Sequence, residues 1–411
     1  MTDVQYSSFS YLTAGEDYDE VELAPQVGRT PPYDLGLTEE QQERTRRLMA
    51  ENLIISVHDH PHVFPDDMGR LRDYARAGRT ALGYEGLRRS GMDCVFENLA
   101  GPTGCITSAH GWKWSDVLFD IGMRVCDIDH QSYVVLARTV ADILEAKRQG
   151  RMALVLGIEA ATPIENELDR LDLLYGFGVR QVGIVYNDTN LLGSGLKELR
   201  DGGLSRFGRR AVKRMNDLGM SIDLSHAGDR TSIEVIEASE RPVMITHAGA
   251  RGVWPSERMK PDHVLTALAE SGGLLGIEAA PHSTVSPAHP EHSIDSVMDH
   301  MLYCVDLMGI DAVTFGPDTL FGDHAGLHTT LAGVFGKGGP SVPQADPDPG
   351  TRVGVTDPVA KHVEYCAGLE NPGENFWNIV GWLVKHGFAD EDIAKLCGGN
   401  TLRVLERSWW A

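Results

Sequence analysis

The sequence predicts an α/β protein built as a (β/α)8 TIM-type barrel, and two observations lead to this prediction. Eight short runs along the chain are apolar and rich in β-branched residues, which is typical of buried parallel strands. Segments with helical spacing separate most of these runs, and such alternation repeated eight times predicts a closed parallel barrel. The eight predicted strands are Leu53–Val57, Asp93–Phe96, Ala153–Ile158, Gln181–Tyr186, Ser221–Leu224, Val243–Thr246, Leu274–Ile277 and Ala312–Phe315.

Four of the intervening segments carry apolar residues three and four positions apart and stop before a glycine. This pattern is typical of an amphipathic helix that ends at a glycine C-cap. In the first of them, Val140, Ile143 and Leu144 follow the helical spacing and Gly150 ends it. The four predicted helices are Gln131–Gln149, Phe207–Leu218, Pro261–Ser271 and Ile294–Met308.

Two stretches lie outside a minimal barrel. Residues 1–50 form an acidic lead and most of a polar helix, and we expect this N-terminal extension to pack on a barrel domain that spans residues 51–411. Residues 319–375 are rich in Gly, Pro and Asp, which predicts a long loop after strand 8, a lid or an oligomer contact. Helical patterning resumes at Phe376 and predicts C-terminal helices.

Composition narrows the class of partner. The net charge of −22 argues against nucleic acid and against an anionic membrane surface, because both would repel an acidic protein. The chain lacks an apolar run of about 18 residues, and its first residues show neither a basic nor an apolar signal-peptide region. We therefore expect a cytoplasmic protein whose partner is a small molecule.

Ligand-type side chains follow several of the predicted strands. Imidazoles and carboxylates are what divalent transition metals bind, and in a (β/α)8 barrel the active site lies at the carboxyl ends of the strands. His58 and His60 stand two apart in extended chain, so both can face one ion. The six candidates at these strand ends are His58, His60, Glu159, His226, His247 and Asp318.

These residues predict a site for two divalent ions, most simply Zn²⁺. Glu159 could bridge them, with His58 and His60 on one ion and His226 and His247 on the other. Two ions about 3.5–4 Å apart can share a water molecule and lower its pKa. Asp318 is suited to take the proton of that water and pass it to a leaving group.

Three segments of the chain, from about Leu53 to Leu405, resemble the membrane (renal-type) dipeptidase family, peptidase family M19 of the amidohydrolase superfamily. LSRFGRRAVKRMNDLGMSIDLSH is the most specific match, and GIEAATPIENELDRLDLLYGFGVRQVGIVYN and TLRVLE are similar to two further family segments. The resemblance implies that Glu159 is the bridging carboxylate and that Asp318 handles the water. It also implies that Arg258 takes the C-terminal carboxylate of a dipeptide, and that the protein is a homo-oligomer.

The chain departs from the family pattern at three strand ends. The first motif is His58-x-His60 where the family has His-x-Asp, which leaves the first metal site one negative charge poorer. Tyr186 replaces the histidine after strand 4, and a phenol can still donate a hydrogen bond to an oxyanion. Glu278 stands where the family usually has asparagine and would repel an acidic group or bind an amine, with His282 beside it.

We therefore expect a binuclear-metal hydrolase that cleaves the amide bond of a small dipeptide-like substrate. In this interpretation Asp318 and Tyr186 are catalytic, and Arg258, Tyr186 and Glu278 contact the substrate. Two alternatives keep the barrel and the metal: a non-peptide amidohydrolase or lactonase, and a metal-dependent non-oxidative decarboxylase. A third alternative is a binding protein without enzymatic activity, which the complete ligand set disfavours.

Overall fold

The computed structural model describes residues 6–99, 113–281, 283–330 and 365–410. Every strand pairing in these ranges is parallel. The strands form one curled sheet in the order β10-β1-β2-β4-β5-β6-β7-β8-β9, and β3 pairs with the first three residues of β4. The strands are β1 Ile55–Val63, β2 Cys94–Asn98, β3 Val134–Leu136, β4 Met152–Ile158, β5 Val179–Gly183, β6 Ser221–Asp223, β7 Met244–Ala248, β8 Leu274–Ile277, β9 Val313–Phe315 and β10 Leu320–Phe321.

The predicted (β/α)8 barrel is confirmed, and two short strands share its eighth position. β9 pairs with β8, and β10, five residues further on, pairs with β1 through Leu320 and His60. Two backbone hydrogen bonds extend this second pairing: Asp318 N–H to His58 O at 3.0 Å, and His60 N–H to Thr319 O at 2.8 Å. The segment between β9 and β10 therefore closes the sheet onto its first strand.

Helices connect the strands and cover the sheet from outside, and buried residues of the helices, the strands and their connections together form the apolar core. The C-terminal Trp409 closes the amino end of the barrel: its indole donates to Ser221 Oγ at 2.8 Å, and its ring lies 6.1 Å from that of Phe96. The helices are α1 Glu39–Glu51, α2 Leu71–Arg76, α3 Tyr84–Arg89, α4 Trp114–Asp129, α5 Val140–Arg148, α6 Arg170–Gly176, α7 Arg206–Leu218, α8 Asp229–Ala238, α9 Asp262–Glu270, α10 Ile294–Met308, α11 His324–Thr330, α12 Asn375–Lys385, α13 Asp390–Ala394 and α14 Asn400–Ser408.

One predicted helix is wrong in its first part. Residues 131–149 were expected to form a single helix, but Val134–Leu136 is the strand β3 and the helix α5 begins only at Val140. The two adjacent β-branched valines favour the strand, which pairs with β4. Thr139 then starts the helix through a capping box with Asp142. A helical period alone cannot detect this break.

The segments outside the barrel are described in part. Residues 6–38 and α1 contact the barrel: Phe9 N–H donates to Asp127 of α4 at 2.7 Å, and Arg44 of α1 pairs with Asp390 at 2.7 Å. The domain division at residue 50 stays a prediction. Residues 319–330 form β10 and α11, and residues 331–364 of the predicted loop after strand 8 lie outside the described ranges. Within those ranges, none of the helices combines the length and apolar character needed to span a membrane.

The backbone approaches itself closely where the site residues leave the strands. A Cβ atom at Gly183, the last residue of β5, would lie 1.8 Å from the carbonyl oxygen of Glu159. A Cβ atom at Gly276 of β8 would lie 2.0 Å from the carbonyl oxygen of Thr246. Only glycine fits either place. The first contact lets the backbone at Glu159, just after β4, lie against β5. The second lets the backbone of β7 at Thr246 lie against β8.

His300 supplies a stability prediction. Its Nδ1 accepts from Ala250 N–H at 3.0 Å and its Nε2 donates to Val285 O at 3.0 Å, so the buried ring is neutral. Burial lowers the pKa of His300 to about 4, although Val285 O and Asp299 oppose the shift. Because the unfolded chain binds the proton near pH 6.5 and the folded chain only near pH 4, we expect His300 to stabilise the fold above pH 6.5 by up to roughly 3 kcal/mol, and to lose that contribution as the pH falls to 4.

Denaturant unfolding at several pH values checks this. His300→Asn should flatten the fall in the free energy of unfolding between pH 6.5 and 4. The exposed His263 of α9 provides the matched control, and His263→Asn should leave the slope as it is in the unmodified protein. An unchanged slope in His300→Asn would contradict the buried neutral state.

Candidate metal centre

Four imidazoles and two carboxylates converge at the carboxyl ends of the barrel strands. His58 and His60 lie in β1, whose pleat points both rings to the same face. Glu159 follows β4 directly, and His247 lies in β7. His226 stands three residues after the end of β6, and Asp318 lies in the segment between β9 and β10. The parallel arrangement therefore brings all six predicted candidates to one end of the barrel.

The histidines meet in two pairs, each through Nε2. The Nε2 atoms of His58 and His60 are 3.3 Å apart, and those of His226 and His247 are 3.2 Å apart. Glu159 Oε1 lies 2.9 Å from His226 Nε2, 3.2 Å from His247 Nε2 and 4.0 Å from His58 Nε2. Glu159 thus forms a possible ligand group with each histidine pair.

These spacings fit a metal site. Two nitrogens bound at about 2.05 Å to one tetrahedral ion are about 3.3 Å apart, which matches the separation of each pair. Burial, with smaller contributions from neighbouring cations, lowers the pKa of His226 and of His247 well below the usual range and keeps both imidazoles neutral, the form that binds metals. Burial raises the pKa of Glu159 to about 8, so its negative charge needs a cation beside it.

Asp318 occupies the opening of this cluster. Its Oδ1 lies 3.2 Å from His60 Nε2 and 3.4 Å from His58 Nε2, and 13% of its side chain is exposed, so solvent reaches it. Its φ of 57° is left-handed, which asparagine and aspartate tolerate better than other residues with a side chain. The hydrogen bond from its N–H to His58 O holds this conformation. Barrel closure therefore places Asp318 beside the His58–His60 pair.

A hydrogen-bonded chain behind the histidines was missed by the sequence analysis. His247 Nδ1 lies 2.9 Å from Thr246 Oγ1, which lies 3.2 Å from Ser225 Oγ, and Ser225 Oγ donates to Asp223 Oδ1 at 2.6 Å. Asp223 also accepts from Thr246 N–H at 2.9 Å. With Nε2 toward the centre, His247 Nδ1 carries the hydrogen and donates into this chain. The spacing in SIDLSH, with Asp223 and Ser225 on one face, was the available signal.

The predicted substrate residues line the same mouth. The ring of Tyr186 stacks on that of His226 with centroids 4.0 Å apart, and Asn187 Oδ1 lies 3.4 Å from His226 Nδ1. Arg258 forms an ion pair with Glu278, Nη2 to Oε2 at 2.5 Å, a pairing that the sequence analysis did not predict. The predicted roles of these side chains stay predictions. His282 lies outside the described ranges.

Comparison with known proteins adds family information. The family model for membrane dipeptidases, peptidase family M19, matches residues 42–329. Dipeptidase tcpJ of Claviceps purpurea is 27% identical over 289 residues, which is 70% of this chain, and the chain spans only 58% of that relative's length. The sequence resemblance to this family is confirmed.

Two solved structures share the fold over most of their length. An amidohydrolase from Pseudomonas aeruginosa is 25% identical, with a TM-score of 0.70 over 89% of this chain and 99% of that one. A metallopeptidase from Rhodobacter sphaeroides, solved with a phosphinate mimic of the dipeptide L-Ala-D-Ala, is 20% identical, with a TM-score of 0.64 over 87% of this chain and 100% of that one. At that lower identity the second structure supports the fold alone.

The hydrogen-bonded chain generates a prediction about metal affinity. Thr246→Val keeps the side-chain shape and the backbone hydrogen bond to Asp223 but removes the hydroxyl that accepts from His247. We expect the affinity for Zn²⁺ to fall by about 10- to 100-fold, the usual effect of losing such a partner. Competition with a chromophoric chelator measures it.

The matched control is Thr314→Val in β9, because Thr314 is also a fully buried strand threonine but donates to Leu396 O. That variant should lose stability without losing metal affinity. Equal loss of affinity in both variants would mean that general loosening of the barrel, and not the contact to His247, causes the effect.

Proposed function

The chain belongs to the membrane dipeptidase family, peptidase family M19, and on that premise we propose that it is a binuclear-metal hydrolase of a small dipeptide-like amide. The observation that carries the proposal is the pair of histidine clusters that share Glu159 Oε1. Amide hydrolysis adds a water oxygen to the carbonyl carbon, breaks the C–N bond and protonates the amine. The side chains around Glu159 match these three needs.

We propose Zn²⁺ at both positions, since imidazole and carboxylate ligands suit it. His58, His60 and Glu159 would hold one ion, and Glu159, His226 and His247 the other. Bound together, two such ions polarise a carbonyl and lower the pKa of water. The hydrogen bonds that link Asp223, Ser225 and Thr246 to His247 Nδ1 would leave His247 Nε2 free to bind such an ion.

Asp318 is proposed as the proton carrier. Burial by itself raises the pKa of Asp318, but its hydrogen bonds with the side chains of His58 and His60 help to hold that pKa well below the usual range. An ionised Asp318 can accept a proton from the attacking water. It then returns this proton to the nitrogen of the leaving amine, so the proton balance of the hydrolysis closes within the site.

Tyr186 is proposed to stabilise the developing oxyanion. Its ring is half-buried and fixed by stacking on His226, which leaves the phenol a defined direction. A phenolic O–H donates a hydrogen bond to an oxyanion, and a donor fixed before the reaction costs little reorganisation. This would let Tyr186 act in the place where the family has a histidine.

A dipeptide-like substrate is supported by the family match and by the likeness to Dipeptidase tcpJ. A second candidate is a non-peptide amidohydrolase, favoured by the pairing of Arg258 with Glu278, which occupies the guanidinium that would bind a free carboxylate. The cytoplasmic location and the homo-oligomeric state stay predictions from sequence.

Metal content provides the first test. Purified or reconstituted protein should hold about two divalent ions per chain by elemental analysis. Glu159→Gln should weaken both ions because a shared carboxylate serves both, whereas His60→Asn should weaken one. Loss of a single ion in Glu159→Gln would make that residue a terminal ligand. Full activity in a strong chelator would overturn the metal mechanism.

The role of Asp318 provides the second test. Asparagine tolerates the left-handed conformation, so Asp318→Asn should keep the fold and the metal while kcat on a hydrolysed dipeptide falls about 10²- to 10⁴-fold. Asp323→Asn is the matched control: Asp323 accepts from Gly326 N–H at the start of α11, where asparagine serves equally well. Loss of metal in Asp318→Asn would instead make Asp318 a ligand.

A further inference from the structure

The guanidinium of Arg258 is largely occupied by the protein itself. Nη1 donates to Ser225 O at 3.2 Å, and Nη2 donates to His247 O at 2.8 Å. Nη2 also lies 2.5 Å from Glu278 Oε2. Two of the five N–H donors of the arginine thus make hydrogen bonds to backbone oxygens, and Nη2 is also held in an ion pair with Glu278.

Glu278 is fully buried and has acceptor capacity to spare. It follows β8 directly, and its own N–H donates to Ala248 O at 3.1 Å, which holds it beside the end of β7. Oε2 contacts Arg258, and in the described part of the chain neither carboxylate oxygen accepts a well-aligned hydrogen bond. The Ser283 hydroxyl lies beside Glu278 and donates to Ala280 O. Oε1 of Glu278 therefore keeps acceptor capacity that a ligand N–H could use.

The charge of the pair decides which ligand end fits. Burial raises the pKa of Glu278 to about 7, although Arg258 opposes the shift. Above that pH the two side chains carry opposite charges in contact, and these charges cancel at the place where a lone arginine would attract a carboxylate. A substrate carboxylate bound to the remaining guanidinium donors would stand beside the carboxylate of Glu278, and both would be largely shielded from water. The pair instead offers donors and an acceptor side by side.

We propose that the Arg258–Glu278 pair recognises an uncharged carboxamide end of the substrate. The carbonyl oxygen of that group would accept from Arg258, and its N–H would donate to Glu278. This proposal rests on the proposed function and names its substrate class: dipeptide-like amides whose C-terminal carboxyl group is blocked as an amide. A free carboxylate has no N–H for Glu278 and adds a like charge.

Arg258 also has a positioning role that the experiment must avoid. Its two backbone contacts hold the carbonyl groups of Ser225 and His247, which are next to or part of the predicted ligands His226 and His247. Substituting Arg258 would disturb metal binding as well as substrate recognition. Among the described residues, the side chain of Glu278 forms its ion pair with Arg258 and not with a predicted metal ligand. Glu278→Gln, which keeps the shape and removes the charge, is therefore the sharper variant.

The experiment compares an alanyl-alanine dipeptide with its C-terminal amide, each as the L,L and L,D form, on one metal-loaded preparation. We expect the unmodified protein to prefer the amide by roughly 10- to 100-fold in kcat/KM, the usual effect of one charge-assisted hydrogen bond. Glu278→Gln should reverse or abolish the preference. The control is Glu257→Gln. Glu257 immediately precedes Arg258 in the sequence but forms its ion pair with Lys197, so this variant should leave the ratio of amide to free dipeptide unchanged.

A binding measurement separates this inference from the proposed function. Calorimetry with a phosphinate dipeptide mimic, bearing either a carboxamide or a carboxylate end, reads recognition without turnover. Tighter binding of the carboxamide form without cleavage of any dipeptide would sustain the inference and defeat the proposed function. Cleavage of dipeptides with equal or better use of the free carboxylate, or a preference for an aminomethyl end, would overturn the inference. The ratio for the unmodified protein decides the matter even if Glu278→Gln does not fold.

Discussion

The buried carboxylate of Glu159 is the constraint on which the site depends. It lies among imidazoles in the interior of a barrel mouth, where burial raises its pKa to about 8 and makes an uncompensated charge costly. A divalent cation would supply the missing positive charge, and the paired histidines stand at a spacing that suits ligands of such an ion. The backbone accommodates this arrangement because Gly183 has no side chain beside the Glu159 carbonyl.

The hydrogen bonds behind the ligands connect neighbouring strands as well as orienting rings. Asp223 ends β6 and accepts from the backbone and side chain of Ser225 and from Thr246 N–H in β7. The pairing of β6 with β7 and the direction of the His247 ring therefore both depend on the carboxylate of Asp223. A loss of packing between these strands would reach the metal ligands directly, which links barrel stability to metal affinity.

The two sides of the barrel mouth differ in how closely they follow the family pattern. Around Glu159 the chain keeps the candidate ligands that the family resemblance anticipates, apart from His60. On the β7–β8 side, Glu278 neutralises Arg258 and changes what that surface can bind. A shared metal centre with a different specificity surface is expected when function lies in sites carried by a common fold. Under the proposed function, this difference would affect the leaving end of the substrate more than the chemistry at the carbonyl.

The sequence by itself determined the eight barrel strands and the six residues that converge, because parallel strands bring their carboxyl ends to one face whatever the details of packing. Tertiary structure decided the rest. The closure through β10, the left-handed Asp318, the contact of Thr246 with Asp223 and the pairing of Arg258 with Glu278 all depend on register between distant segments. Strand periodicity tells which face a side chain occupies, but the partner across the barrel follows only from how the strands are staggered when the sheet closes.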